Sequence, residues 1–386
     1  MLMQYRYLGF TLLLALLTTL GVGCDILGSD DSKPKADEVV IVGTQVGNDF
    51  QETGEFGLSA TPLDKKGNSI LSKNINAEVE VQETGSSSSA STKSQSARSQ
   101  IEASVTVKRV NEPTGNPLAV SLNFDASGSL DGSDPDEIRK EGGKAFVDEL
   151  ESTQREYEAA VFEYSGACTP SVSPFDCSIL WQDFTNDADS LKNAIDEVGD
   201  SGGTPTYGSL LEVLEYSEVE RPKGNYEKAI VLFSDGIPND RNITARRDSV
   251  CNTVIPANDS PVWAIGLGAG NDHPDEPNTD PEAVREMNRL AACSDEGGAY
   301  IGINPDPDSA EQSIRDRFAG FATASAKGSI AFNVEITSGL DQLEAGDTVE
   351  GILRVKSGGK TVEGSFSLRV PEADNSAEAF RYVRHK

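Results

Sequence analysis

The chain has 386 residues, of which 37% are hydrophobic and 6% aromatic, and this length accommodates two or three domains. Its 63 acidic residues against 33 basic ones give a formal net charge of -30, which excludes a nucleic-acid partner because phosphate binding needs a basic surface. Two explanations of this charge are open. One is adaptation to molar salt, where charge repulsion is screened, and the other is the ordinary acidity of a bacterial surface protein; composition does not separate them.

The first segment, residues 1–24, has the features of a signal peptide. An apolar run over residues 8–20 is too short to span a membrane comfortably. It ends in Leu20-Gly21-Val22-Gly23-Cys24, which resembles the cleavage site of bacterial lipoproteins, although Gly21 stands where those proteins usually have leucine. The resemblance implies that Cys24 becomes an acylated first residue, followed by a tether over residues 25–37. The alternative is an ordinary secretory signal with an incidental cysteine, in which case the protein is secreted.

Four further cysteines are candidates for disulfide bonds: Cys168, Cys177, Cys251 and Cys293. An even number in an exported chain predicts disulfides. Three pairings are open, and we favour Cys168–Cys177, which closes a short loop, together with Cys251–Cys293. The chain has no Cys-x-x-Cys motif, so a zinc site of the usual spacing is not expected.

Patterns typical of β-strands dominate residues 38–112. An apolar run fills Val39–Val42, and apolar residues alternate with polar ones over residues 75–81 and 101–107, which predicts three strands. The serine-rich stretch over residues 85–100 has too few apolar side chains to bury, and it predicts a flexible loop.

The middle region, residues 116–326, alternates strands with helices. The predicted strands are Leu118–Phe124, Ala159–Tyr164, Lys228–Phe233, Val262–Leu267 and Ala299–Ile303. The predicted helices are Asp136–Leu150, Asp189–Val198, Tyr207–Tyr216, Pro281–Ala292 and Ser309–Ala324. Because several strands are apolar without alternation, as buried parallel strands are, the region is predicted to be an α/β fold with a doubly wound, mostly parallel sheet.

The β pattern returns in residues 328–386, with alternation over residues 330–336 and 366–370. Each β-rich flank is short for an independent sandwich. We therefore expect residues 38–112 and 328–386 to pair into one smaller all-β domain, with the α/β unit inserted between them. Two separate small modules are the alternative.

Oxygen-bearing side chains collect in three segments of the α/β region: Asp125-Ala126-Ser127-Gly128-Ser129, Gly202-Gly203-Thr204-Pro205-Thr206 and Ser234-Asp235-Gly236. Two of these segments follow predicted strands and the third precedes a helix, and open α/β sheets bind ligands at the carboxyl ends of their strands. Carboxylates and hydroxyls without imidazole or thiolate suit a hard cation, Mg²⁺ first, with Mn²⁺ and Ca²⁺ as alternatives.

In order and separation these segments resemble the metal-ion-dependent adhesion site of von Willebrand factor A-like domains. The resemblance to such a domain extends over residues 116–326. The metal ligands that the resemblance implies are Asp125, Ser127, Ser129, Thr204 and Asp235. In that family the hydroxyls usually bind the metal directly, the aspartates often act through water, and an acidic side chain of a partner completes the coordination. Thr206 is the alternative to Thr204.

Two other acidic stretches are weaker candidates for cation binding. Asp131, Asp134 and Asp136 follow the first segment, but their spacing differs from the adjacent site of integrin β subunits and favours a solvated acidic loop. The stretch Asp272–Asp280 lacks the spaced acidic ladder of an EF-hand.

The sequence thus predicts a non-enzymatic binding protein of the cell envelope that recognises a protein or glycan ligand through a metal. It carries His273 and His385 but no His-Glu-x-x-His, Gly-x-Ser-x-Gly or Walker motif. One alternative is an accessory or assembly subunit of an envelope complex, with the α/β domain as a docking module. A metal-dependent hydrolase is a further alternative that no motif supports.

Overall fold

The computed structural model describes residues 35–46, 50–84, 101–112, 116–134, 136–153, 155–166, 176–219, 225–240, 242–255, 260–271, 279–293, 298–303, 315, 319–324 and 326–371. Several predictions concern segments outside these ranges, so they stay predictions. They are the signal peptide with Cys24, the serine-rich loop, Cys168, residues 272–278, both histidines and most of the helix expected over Ser309–Ala324.

Within these ranges the strands are β1 (Glu38–Val46), β2 (Glu55–Leu63), β3 (Asn76–Thr84), β4 (Glu102–Asn111), β5 (Leu118–Asp125), β6 (Tyr157–Tyr164), β7 (Ser178–Thr185), β8 (Glu227–Ser234), β9 (Val262–Gly266), β10 (Ala299–Gly302), β11 (Ser329–Ser338), β12 (Thr348–Ser357) and β13 (Lys360–Arg369). The α-helices are α1 (Phe50–Thr53), α2 (Leu130–Ser133), α3 (Ile138–Ser152), α4 (Ala188–Asp196), α5 (Thr206–Val219), α6 (Ile243–Ser249) and α7 (Pro281–Ala292). A π-helical turn, Val250–Val254, continues α6.

In the described part of the chain, one large sheet contains ten strands in the order β4-β11-β2-β1-β10-β9-β8-β5-β6-β7. The five strands from β10 to β6 are parallel, while β7 and the four strands beyond β10 are antiparallel to their neighbours. A separate antiparallel sheet has the order β13-β12-β3. The predicted α/β fold with a parallel central sheet and a smaller β part is therefore confirmed.

The central strands are mostly apolar, as strands are that helices cover on both faces of a sheet. Every residue of β5 is buried. On one face α3 and α4 pack against the sheet through residues such as Phe146 and Leu191. On the other face α5 and α7 pack through residues such as Leu210 and Met287. The loops at the carboxyl ends of the parallel strands are thereby held on a buried, two-sided scaffold.

Strands from the two β-rich flanks hydrogen bond to each other. β11 lies between β2 and β4, and β12 pairs with β3. These strands share one apolar core that includes Phe56, Phe332, Leu353 and Phe366. β1 connects this part to the α/β part, since it pairs with β2 on one side and meets β10 through the register Thr44↔Tyr300 on the other.

The predicted disulfide Cys251–Cys293 is present, with 4.6 Å between the two Cα atoms. It joins the π-helical turn to the residue that ends α7. The pairing Cys168–Cys177 involves a cysteine outside the described ranges and stays a prediction. Within the described ranges no helix has the length and apolar character needed to cross a membrane.

Candidate metal centre

The two aspartates of the predicted site lie at the ends of neighbouring strands. Asp125 is the last residue of β5, and Asp235 directly follows β8. These strands are parallel with Phe124 opposite Phe233, so both carboxylates emerge at the same edge of the sheet. The rings of Phe124 and Phe233 stack with centroids 4.4 Å apart, and they form an apolar floor one residue before each loop.

Asp125 is fully buried, and both of its carboxylate oxygens accept hydrogen bonds. The Ser127 backbone N–H donates to Oδ1 at 2.8 Å, and the Ser234 hydroxyl donates to Oδ2 at 2.7 Å. Burial, and next the nearby charge of Asp235, raise the pKa of Asp125 to about 7, although the hydrogen bonds from Ser234 and Ser127 act in the opposite direction. Two buried carboxylates in this arrangement favour binding of a proton or a cation.

Asp235 receives hydroxyl groups on both of its oxygens. Ser129 Oγ donates to Oδ1 at 3.1 Å and Ser127 Oγ lies 3.4 Å from the same atom, while the two serine hydroxyls are 3.0 Å apart. The Ser133 hydroxyl donates to Oδ2. Four of the five predicted ligand residues therefore lie together. Ser133 was missed, because only the turn of α2 brings it back over the site, where its backbone N–H donates to Ser129 O at 3.1 Å.

The loop that carries Thr204 meets the other two loops. Gly128 N donates to Gly202 O at 3.1 Å, and Gly202 has a φ of 130°, which glycine adopts readily. A Cβ at Gly236 would lie 3.5 Å from Thr204 Oγ1, so the Thr204 side chain lies beside the loop of Asp235. Thr206, the alternative, is the first residue of α5 and is buried.

The residues at this edge fit a hard divalent cation. Two carboxylates and three serine hydroxyls face one another, and Thr204 is adjacent. Within the described ranges no three His, Cys, Asp or Glu side chains form a metal-binding group, so the carboxylates would have to be supplemented by hydroxyls or water. Mg²⁺ tolerates such a set, because it is commonly held by one or two carboxylates and keeps other positions for water or an incoming group.

The neighbouring acidic residues have structural roles or face solvent. Asp134 pairs with Arg139 at 2.6 Å, with both side chains 1% exposed, and it accepts the Ile138 N–H at the start of α3. Asp131 and Asp136 are exposed. Asp280 accepts the N–H of Glu282 at 2.8 Å and caps α7. None of these contacts indicates a second cation site among the described residues.

Comparison with known proteins gives a family match and several structural neighbours. Residues 120–304 match the family model of the von Willebrand factor type A domain, and no curated protein matches significantly. The vWF domain of the type V pili tip protein Mfa5 from Porphyromonas gingivalis is 23% identical, with a TM-score of 0.25, over 34% of this chain and 40% of that one.

Two further solved structures cover more of the chain. A von Willebrand factor type A protein from Catenulispora acidiphila is 14% identical over 89% of this chain and 76% of that one, with a TM-score of 0.39. The pilus adhesin SpaC from Lactobacillus rhamnosus GG is 11% identical over 90% of this chain and 50% of that one, with a TM-score of 0.40. The family match thus covers slightly less than half of the chain, and it shows that residues 120–304 are similar to the von Willebrand factor type A domain.

Proposed function

We propose that the protein is a non-enzymatic binding protein of the cell envelope, whose A domain holds Mg²⁺ and uses it to recognise an acidic group on a protein partner. The proposed ligands are Asp125, Ser127, Ser129, Thr204 and Asp235. The observation that carries the proposal is the convergence of two buried carboxylates and the serine hydroxyls at one edge of the sheet.

The residues of the chain have distinct roles in this proposal. Asp125 and Asp235 supply negative charge, and the hydroxyls of Ser127, Ser129 and Thr204 supply neutral oxygen ligands. When bound, the cation offers a positive centre to the carboxylate of a partner. Since hydroxyls carry no charge, they leave the cation more strongly attracting toward that carboxylate than additional acidic ligands would. Mn²⁺ and Ca²⁺ are the alternative cations.

The experiment is affinity capture from envelope extracts, performed with Mg²⁺, with EDTA, and with the variant Asp125→Ala in Mg²⁺. We expect capture of a partner in the first condition and its loss in the other two. The control is Asp131→Ala, which removes an exposed carboxylate close to the site. Undiminished capture in all conditions would contradict a metal bridge, and a stoichiometric complex that survives EDTA would indicate the assembly subunit instead.

We also infer that Cys24 carries lipid and holds the protein on a membrane. Acyl chains of a lipoprotein give stable attachment without a spanning helix. The variant Cys24→Ser should move the protein from the detergent-extracted membrane fraction to the soluble exported fraction. A variant that remains in the membrane fraction would show that another feature attaches the protein.

A further inference from the structure

The segment Asp235–Asp240, called here the bracket loop, follows β8 and contacts the Thr204 loop through Asn239 and at Gly236. We propose that Asn239 in this segment is a positioning residue of the metal site, which fixes Thr204 relative to Asp235. This inference rests on the proposed function, because it assigns a role to a residue outside the ligand motif of that site.

The contacts between Asn239 and Thr204 are reciprocal. The Thr204 N–H donates to Asn239 Oδ1 at 3.0 Å, and the Asn239 N–H donates to Thr204 O at 2.9 Å. Both backbone polar groups of Thr204 are therefore bound by one residue. Since the backbone at Thr204 is held on both sides, the place from which its side chain projects is fixed as well.

Close packing between the two loops depends on Gly203. A Cβ at Gly203 would lie 3.0 Å from Asn239 Nδ2 and 2.8 Å from Gly166 O, so the Asn239 amide lies directly against the Gly203 backbone. A Cβ at Gly236 would lie in ordinary van der Waals contact with Thr204, at 3.5 Å. The two loops approach as closely as they do because position 203 carries no side chain.

The far end of the bracket loop holds the helix that follows Thr204. Asp240 is buried and accepts the N–H groups of Tyr207 at 3.0 Å and Gly208 at 2.7 Å, and it pairs with Arg246 at 3.1 Å. These N–H groups belong to the first turn of α5, where a carboxylate is favourable. Thr204 is thus held directly by Asn239 and indirectly by Asp240, on the same loop that begins with Asp235.

Asn239 is exposed, so its substitution removes a contact to Thr204 without opening the core. Residues that orient a metal ligand from behind typically change metal affinity by about 10–100-fold when they are removed. Because the Asn239 backbone contact to Thr204 persists in any variant, we expect an effect near the low end, about tenfold.

The experiment measures Mg²⁺ affinity by titration calorimetry on the exported chain for three variants. Asn239→Ala should bind about tenfold more weakly than the wild type. Asn239→Asp keeps an oxygen that accepts the Thr204 N–H and should retain most of the affinity. Asn193→Ala, an exposed asparagine on α4, is the matched control and should leave affinity unchanged.

A second measurement does not depend on metal. In EDTA, amide hydrogen exchange at Thr204 should be faster in Asn239→Ala than in the wild type, because the N–H loses its acceptor. If the wild type binds Mg²⁺ and Asn239→Ala has the same Mg²⁺ affinity or the same exchange rate at the Thr204 amide, the inference is overturned. A wild type that binds no divalent cation contradicts the proposed function instead, and the exchange rate then still decides whether Asn239 holds Thr204.

Discussion

At the scale of single residues, the carboxylate of Asp125 that the proposed metal site needs is unfavourable for the stability of the metal-free fold. Its carboxylate is completely buried and lies close to the charge of Asp235, and both features raise its pKa. Hydrogen bonds from Ser127 and Ser234 offset only part of this effect, since the pKa remains at about 7. Above about pH 7 the metal-free protein therefore keeps a buried negative charge on Asp125, which binding of a proton or a cation would compensate.

The variant Asp125→Asn tests this conflict through the pH dependence of stability. The folded pKa of about 7 lies above the model value of 3.8, so between these values the folded state holds a proton that the unfolded state has lost. The free energy of unfolding of the wild type in EDTA should therefore fall as pH rises from about 4 to about 7. At pH 8 Asp125→Asn should be more stable than the wild type by roughly 2–4 kcal/mol, and the difference should shrink toward pH 4.

Urea denaturation across this pH range measures the difference. Asp131→Asn, an exposed neighbour, is the control and should follow the wild type. Addition of Mg²⁺ at pH 8 should stabilise the wild type but not Asp125→Asn, because a ligand of the folded state raises its stability. If Asp125→Asn is no more stable than the wild type at pH 8, the buried charge is not destabilising.

The pattern of apolar strands predicts the place of those site residues that follow a strand. Asp125, Ser127 and Asp235 come directly after apolar strands, so their place at the sheet edge was predictable. Ser133 and Asn239 were not, because their contacts depend on how a turn and a loop fold back, and no hydrophobic period records that. Thr204 is an intermediate case, since its loop was expected and its anchorage was not.

At the scale of elements, the floor of the site depends on how closely α3 approaches β5. Gly143 lies in the middle of α3, where glycine is unfavourable by about 1 kcal/mol relative to alanine. A Cβ there would lie 2.5 Å from Phe124 Cζ and 3.3 Å from Ile195 Cδ1. Phe124 precedes Asp125 and stacks on Phe233, so the helix can pack on this floor only without a side chain at position 143.

Gly143→Ala should therefore destabilise the protein although alanine is the better helix former. Overpacking of a filled core typically costs about 1–3 kcal/mol, which exceeds the gain of about 1 kcal/mol in helix propensity. Gly132→Ala in α2 is the matched control, because a Cβ there meets nothing within 4 Å. Thermal and chemical unfolding compare the two, and equal stability of Gly143→Ala and the wild type would mean that Phe124 moves aside freely.

Glycine and proline explain why β2 and β12 could not be predicted, whereas β7, which the sequence also did not predict, contains neither residue. β2 contains Gly57 and Pro62 and β12 contains Gly351, and both residue types weaken a strand pattern in the sequence. In the structure Phe366 lies directly opposite Gly351 and its ring covers that position. A cross-strand aromatic of this kind compensates for the missing side chain, but only the pairing reveals it.

At the scale of the whole molecule, strand order depends on contacts that local patterns do not contain. The α/β class was predictable because helices and apolar strands alternate along residues 116–326. The position of β1 was not, because it lies between β2 and β10 through registers such as Val40↔Thr61 and Thr44↔Tyr300. Alternation identifies a strand and its buried face, but it does not identify the neighbour of that strand.

The net charge of -30 is also a property of the whole molecule. Pairing all 33 basic residues with acidic ones would leave 30 of the 63 carboxylates without a basic partner, so the folded protein repels itself at low salt. The Debye length falls from about 10 Å at 0.1 M salt to about 3 Å at 1 M. Raising NaCl from low to molar concentration in EDTA should therefore raise the unfolding midpoint by about 2–4 °C, the shift that about 1 kcal/mol produces in a domain of about 150–250 residues.

Screening and salt-specific effects separate when the anion is changed. Screening depends on ionic strength alone and acts mostly below about 0.3 M, where the Debye length changes fastest. Sodium thiocyanate, which weakens folding at high concentration, should therefore stabilise the protein as much as NaCl does in this range. A midpoint that rises with NaCl and falls with thiocyanate from the first addition would show that charge repulsion does not limit stability. A rise that continues to molar salt in NaCl would favour adaptation to a saline habitat over ordinary surface acidity.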